Sequence, residues 1–174
     1  MSKVISLFRK MPSRRRYWLV ILLSAVSLMF AALYYQYIQE LQPCLMCIQV
    51  RIWLVVLIFV SIFGMLTRTQ RWSNLVAQSG LLIIAGGLAE RAYMLLGTER
   101  GFVFSDCGFD LGLPDWLAID VWFPRLFQVE TTCGYTPEII FGITMAEALM
   151  VLSVVMCTIC GLAFIASLIP LKNE

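Results

Sequence analysis

Four stretches of this 174-residue chain, about 18–38, 45–66, 75–96 and 139–169, are apolar all the way round. A helix packed on the surface of a soluble domain keeps a polar face at the 3.6-residue period, and these stretches have none. Each is long enough to cross a hydrocarbon core, which takes about 20 helical residues. In lipid every backbone polar group must be satisfied within the segment, so the stretches are read as helices. Composition agrees: 60% of residues are hydrophobic and only 14% are charged. The expected fold is an all-α membrane protein, a four-helix transmembrane bundle forming a single domain over 1–174.

The first stretch follows a basic segment and invites comparison with a signal peptide. Its apolar run is too long for that, and no small-residue cleavage site follows it. It runs instead into Tyr34, Tyr35 and Tyr37, an interfacial aromatic cluster. Charge then sets orientation. Lys3, Arg9, Lys10, Arg14, Arg15 and Arg16 precede the first span, Arg68 and Arg71 separate the second from the third, and Lys172 follows the fourth. Segment 97–138 is acidic, with Glu99, Asp106, Asp110, Asp115, Asp120, Glu130 and Glu138 against Arg100 and Arg125. Positive residues mark the cytoplasmic side. Both termini are expected in the cytoplasm, with loops 39–44 and 97–138 outside. The basic N-terminus is thereby explained by topology, and no nucleic acid is called for.

Within the longer outer loop, "PDWLAIDVWFPRLF" (114–127) sets Trp116, Ile119, Phe123 and Leu126 at helical spacing, with Asp115 and Asp120 off that stripe. Pro114 can open a helical turn and Pro124 should bend or end it. A short amphipathic helix lying in the membrane interface is expected there.

Four of six cysteines fall on the outer side: Cys44, Cys47, Cys107 and Cys133. Outside a bacterial inner membrane thiols tend toward disulfides, and an even number suggests two bridges. Pairing 44 with 47 and 107 with 133 is one of three possible wirings, and spacing alone does not choose among them. A bridge between distant cysteines stabilises a loop by closure. A Cys-x-x-Cys ring constrains almost no chain entropy, so its usual use is redox or metal chemistry. Pro43 suits a first helical turn, which would set Cys44 and Cys47 at the N-terminal end of the second span, where unpaired N–H groups and the helix dipole stabilise a thiolate. Zinc is the rival reading, but zinc ribbons bring a second close pair, and the chain has no histidine; no metal site is expected. Cys157 and Cys160, inside the fourth span, are read as packing residues.

Arg51, Glu90, Arg91 and Glu147 lie within the apolar stretches at comparable depth, near the outer end. Arg51 follows Cys44 by seven residues and Cys47 by four, so all three share one helix face. Mutual neutralisation, for instance of Arg51 by Glu147, would be purely structural. Ionisable groups inside a membrane more often mark function, and a lipid-soluble electron acceptor such as a quinone needs such a donor beside the thiols. Arg51 and Arg91 are therefore the expected quinone-binding residues.

Together these residues resemble the bacterial disulfide bond formation protein B (DsbB) family over the whole chain. Four spans, Pro-Cys-x-x-Cys-x-x-x-Arg opening the second, and two spaced cysteines in the second outer loop make the likeness, and "PDWLAIDVWFP" is similar to the family's loop helix. The chain departs from the pattern at "FGITMAEALM", which has neither the Pro nor the Trp expected there. The resemblance implies a quinone-dependent thiol oxidase of the inner membrane, serving a periplasmic thioredoxin-fold (DsbA-like) oxidase, with ubiquinone or menaquinone as acceptor. It further implies that the partner attacks Cys107, that released Cys133 attacks Cys44, and that Cys47 donates to the quinone aided by Arg51. Two rivals stand beside it. A vitamin K epoxide reductase-like enzyme also has a four-helix bundle, but carries its Cys-x-x-Cys later in the chain. A non-enzymatic tetraspanin-like scaffold would show Cys-Cys-Gly in the long loop, where "SDCGFD" has a single cysteine.

Overall fold

A computed structural model describes residues 12–103, 111, 112, 114, 118–131, 138–140 and 142–168. Four long helices carry the fold: α1 (Arg15–Tyr37), α2 (Leu45–Thr67), α3 (Arg71–Arg100) and, after the loop elements, α6 (Met145–Leu168). All four are long and apolar enough to cross a membrane. Twenty-three residues, the length of α1 and of α2, span ~35 Å at 1.5 Å per residue, slightly more than a hydrocarbon core. The chain is an all-α, four-helix membrane protein.

Consecutive helices pack side by side, α1 on α2, α2 on α3 and α3 on α6, while α1 and α6 meet sparsely, as where the Tyr17 hydroxyl lies 3.9 Å from the Cys160 sulfur. Small residues let the axes approach, as membrane bundles require in the absence of a hydrophobic drive between helices. A Cβ on Gly64 of α2 would lie 2.5 Å from the ring of Trp18, so glycine there is what seats the fully buried Trp18 on α2. The Trp18 indole N–H donates to the Pro12 carbonyl at 2.8 Å, which satisfies its one polar atom. Around it Ala25, Leu54, Leu57, Leu81, Leu88 and Cys160 form the main apolar core. Val20, Phe30, Phe59, Ile83 and Leu162 face outward, which lipid accepts and water would not.

The helix ends depart from the sequence expectation in ways with local causes. α3 runs four residues beyond its apolar stretch at each end and stops at Gly101, whose φ of +76° is a left-handed cap. The fourth span begins later than expected. Residues 138–144 hold a small antiparallel hairpin, β1 (Glu138–Ile140) with β2 (Ile143–Thr144), turning at Gly142 with φ +77°. Thr144 then caps α6 reciprocally: the Glu147 N–H donates to Thr144 Oγ1 and the Thr144 N–H donates to Glu147 Oε2, each at 3.3 Å. This is a capping box, with Thr at the cap and Glu three residues on.

Where one amphipathic helix is expected, the described residues form two single turns, α4 (Ile119–Trp122) and α5 (Pro124–Phe127). Pro124 is the cause: it disfavours helical geometry in the residue before it, and Phe123 sits at φ −132°, ψ 63°. Val121, Trp122 and Phe123 are exposed, whereas Phe127 is buried against Leu45, Ile48 and Leu111. Trp116 lies outside the described residues.

Candidate functional site

Pro43 does not enter the second helix. α2 starts at Leu45, and Cys44 is its N-cap, in extended geometry, with its sulfur accepting from the Cys47 N–H at 3.4 Å. The cap position gives Cys44 Sγ a direct share of the unpaired donors at the helix start. Helical geometry brings the third residue of the turn back over the cap, so the Cys44 and Cys47 sulfurs lie 2.8 Å apart. Cys44 is buried and Cys47 half-buried, against Met46, Leu95 and Ala146.

The freed Pro43 has another use. Its carbonyl accepts from the Glu130 N–H at 3.0 Å and the Thr131 N–H at 3.4 Å, and Cys44 pairs with Thr131 as an isolated parallel bridge. The segment between α5 and β1 is thereby hydrogen-bonded onto the Cys-x-x-Cys cap. Cys107 and Cys133 lie outside the described residues.

Arg51 sits below the cysteines, 4% exposed. Its Nη1 donates to Gln36 Oε1 at 2.6 Å and to the Leu126 carbonyl at 3.0 Å, and its Nη2 donates to the Ala32 carbonyl at 3.2 Å. Nε is buried and has no partner among the described residues. Neutralisation by Glu147 does not occur: that carboxylate pairs with Arg100, in the last turn of α3, and is held by its capping role. The oxygens that accept from the Arg51 guanidinium are all neutral, and among the described residues no carboxylate forms an ion pair with it, so its charge is left available to a ligand.

A cavity of about 350 Å³ opens beside these groups, lined by Cys44, Cys47 and Arg51 of α2, Gln36 and Ala32 of α1, and Ala148, Leu149 and Leu152 of α6, among others. It follows the seam along which α1 and α6 fail to pack. Apolar side chains make most of its wall, and no carboxylate lines it. Such a mix of apolar wall and few convergent polar groups is the usual form of a small-molecule site.

Arg91 does not reach this cavity. Its Nη1 donates to Gln49 Oε1 at 3.0 Å, and Glu90 lies 3.8 Å away. Arg91 bonds a residue on another face of α2, since Gln49 and Arg51 leave that helix on different sides. Sequence reading passed over Gln36, whose place between Tyr35 and Tyr37 looks like interface. A lone amide inside an aromatic girdle, level with a buried arginine, was the available sign. Cys160 lies in the main core with the Tyr17 hydroxyl 3.9 Å from its sulfur, as a packing role requires.

The family sequence model described as "Disulfide bond formation protein DsbB" matches residues 14–163. The chain belongs to the DsbB family. Among curated relatives, "Disulfide bond formation protein B" of a Shewanella species (strain MR-4) is 30% identical over 145 residues, 83% of each chain. Its namesake from Shewanella amazonensis is 31% identical over 161 residues, 90% of this chain and 91% of the relative. "Disulfide bond formation protein B 2" of Pseudomonas aeruginosa is 27% identical over 144 residues, covering 82% and 85%. The match to DsbB spans all four long helices up to the last turns of α6, the Cys-x-x-Cys cap and both outer-loop cysteines.

Proposed function

We propose that this DsbB-family protein reoxidises a periplasmic thioredoxin-fold, DsbA-like dithiol oxidase and passes the electrons to membrane quinone. Disulfide oxidoreduction is what the family membership supports; the partner is what the family resemblance implies, and the acceptor is read from the site. The observation that carries the reading is the cavity holding Cys47, Cys44 and the uncompensated Arg51 at a membrane seam. Its residues fit a quinone: an apolar wall for a flat ring, donors for carbonyl oxygen, and thiols at the same surface.

When bound, the quinone supplies a sink for two electrons and two protons. The chain's own residues do the rest. A thiolate of the reduced partner attacks Cys107 of a Cys107–Cys133 disulfide, forming a mixed disulfide and releasing Cys133. The partner's second thiolate displaces Cys107 and leaves as the oxidised product. Cys133 attacks Cys44 of the Cys44–Cys47 disulfide, and Cys47 leaves as a thiolate. Cys107 then displaces Cys44, restoring the loop disulfide and leaving the Cys44–Cys47 dithiol for reoxidation. Two points support the step from Cys133 to Cys44. Thr131 is bridged to Cys44, and two residues of chain extend at most ~7 Å whatever their conformation. Arg51 stabilises negative charge at Cys47 and in the cavity. The acceptor is needed because the partner is itself a strong oxidant, at about −120 mV, beyond the reach of ordinary structural disulfides below about −300 mV. The relay requires the Cys44 end of the bundle to face the periplasm, with both termini in the cytoplasm of the bacterium. Arg91 is proposed to brace Gln49 on α2 and to act on the quinone only through that helix.

The test is quinone reduction by purified protein given a reduced thioredoxin-fold partner. Rapid loss of quinone absorbance, dependent on Cys44 and Cys47, is expected. Partner oxidation that proceeds at the same rate with quinone and oxygen absent would refute the proposal.

A further inference from the structure

We infer that Gln36 is a positioning and binding residue of the quinone site, acting both through Arg51 and by its own amide donor. The inference rests on the reading of the α1–α6 cavity as a quinone site. Arginine has donors only, so the short 2.6 Å contact between Arg51 Nη1 and Gln36 assigns the amide oxygen to that side. The NH₂ group of the same planar amide then faces elsewhere, and among the described residues it has no partner. Gln36 is half-buried and lines the cavity. Arg51 Nε–H also has no partner among the described residues, but it is buried away from the cavity surface.

The site thus presents the Gln36 amide donor at the cavity wall beside the Arg51 guanidinium, which also lines it. A carbonyl oxygen of a quinone ring, an acceptor only, would accept from the Gln36 amide while lying beside the guanidinium charge. The choice of an amide also matters electrically. A carboxylate at position 36 would hold the guanidinium equally well but would quench its charge. An amide orients Arg51 by its oxygen and leaves the full positive charge facing the ring that must accept electrons. The Ala32 and Leu126 carbonyls serve the same end. Every described oxygen that accepts from Arg51 is neutral.

Two substitutions separate these duties. Gln36→Leu removes the orienting oxygen and the amide donor, and should raise the KM for decylubiquinone about tenfold, the loss expected of one hydrogen bond to a charged group, with kcat changed little. Gln36→Glu keeps an oxygen on Arg51 but removes the donor and quenches the charge, so it should raise KM and lower kcat together. Both variants should form the Cys107 adduct with the partner at the wild-type rate, which a general loss of structure would not allow. In wild-type protein labelled with ¹⁵N-glutamine, one side-chain amide, absent from the Gln36→Glu spectrum, should shift on adding decylubiquinone. If wild-type protein does not reduce decylubiquinone, the quinone reading falls and this inference with it. If wild-type protein reduces it while both variants titrate like wild type, or no glutamine amide shifts, the role of Gln36 alone is overturned.

Discussion

Arg51 donates two hydrogen bonds to α1, through Gln36 and Ala32, and one to the Leu126 carbonyl of α5. A charge this deep would serve as well if it only tied three segments together, and substitution distinguishes the two roles. Lysine keeps the charge but not the planar fork that reaches three acceptors. Arg51→Lys should therefore weaken apparent quinone affinity about tenfold, and Arg51→Ala about a hundredfold, at ~1.4 kcal/mol per decade. Steady-state quinone titration of the purified variants checks this. An unaltered titration curve with reduced abundance would make Arg51 structural. The cysteine relay has its own test at this scale. Cys133→Ala removes the thiol that follows Cys107, so a mixed disulfide between Cys107 and the partner should accumulate on non-reducing gels. No adduct at Cys107 would count against the assigned order. Arginine, cysteines and their spacing were legible in sequence because each breaks the apolar pattern. Gln36 was not, because its meaning comes from a neighbouring helix.

Among the elements, the segment Glu130–Thr131 and the cap of α6 hold the outer loop at two places. Thr131→Pro removes the N–H that donates to Pro43. It should slow electron transfer from the loop cysteines to Cys44 several-fold, the weight of one hydrogen bond of about 1 kcal/mol. Quinone reduction driven directly by a small dithiol should be unchanged. Equal slowing of both reactions would show that the bridge supports the bundle rather than the relay. At the α6 cap, Thr144→Ala should cost about 1 kcal/mol, seen as a lower melting temperature in detergent with quinone affinity intact. The existence and number of spans could be read from apolar length alone. Their ends could not, since capping competes with hydropathy: Ile139 and Ile140 are as apolar as the span they precede, yet lie in or beside a hairpin set by Gly142. Pro124, expected to bend or end the loop helix, divides it, since the short turns on either side have too few hydrogen bonds to carry one helix through the break.

At the scale of the whole molecule, a bundle whose helices pack in chain order leaves one seam, between α1 and α6, and the cavity lies along it. No pattern in the sequence declares that seam, because lipid-facing and seam-facing residues are equally apolar. Only the packing of Trp18 on Gly64, and of its neighbours along α2 and α3, decides which faces remain open. The central claim is that the acceptor meets Cys47 and Arg51 in this seam. A quinone bearing a photoreactive group on its ring, crosslinked to the purified protein and mapped by mass spectrometry, tests it most directly. Label should fall on α1 between Ala31 and Gln36, on α2 near Cys47 and Arg51, and on α6 between Met145 and Leu152, and should be displaced by excess decylubiquinone. Displaceable label confined to the Arg91–Gln49 side of α3, or to the region of Cys157 and Cys160, would contradict it.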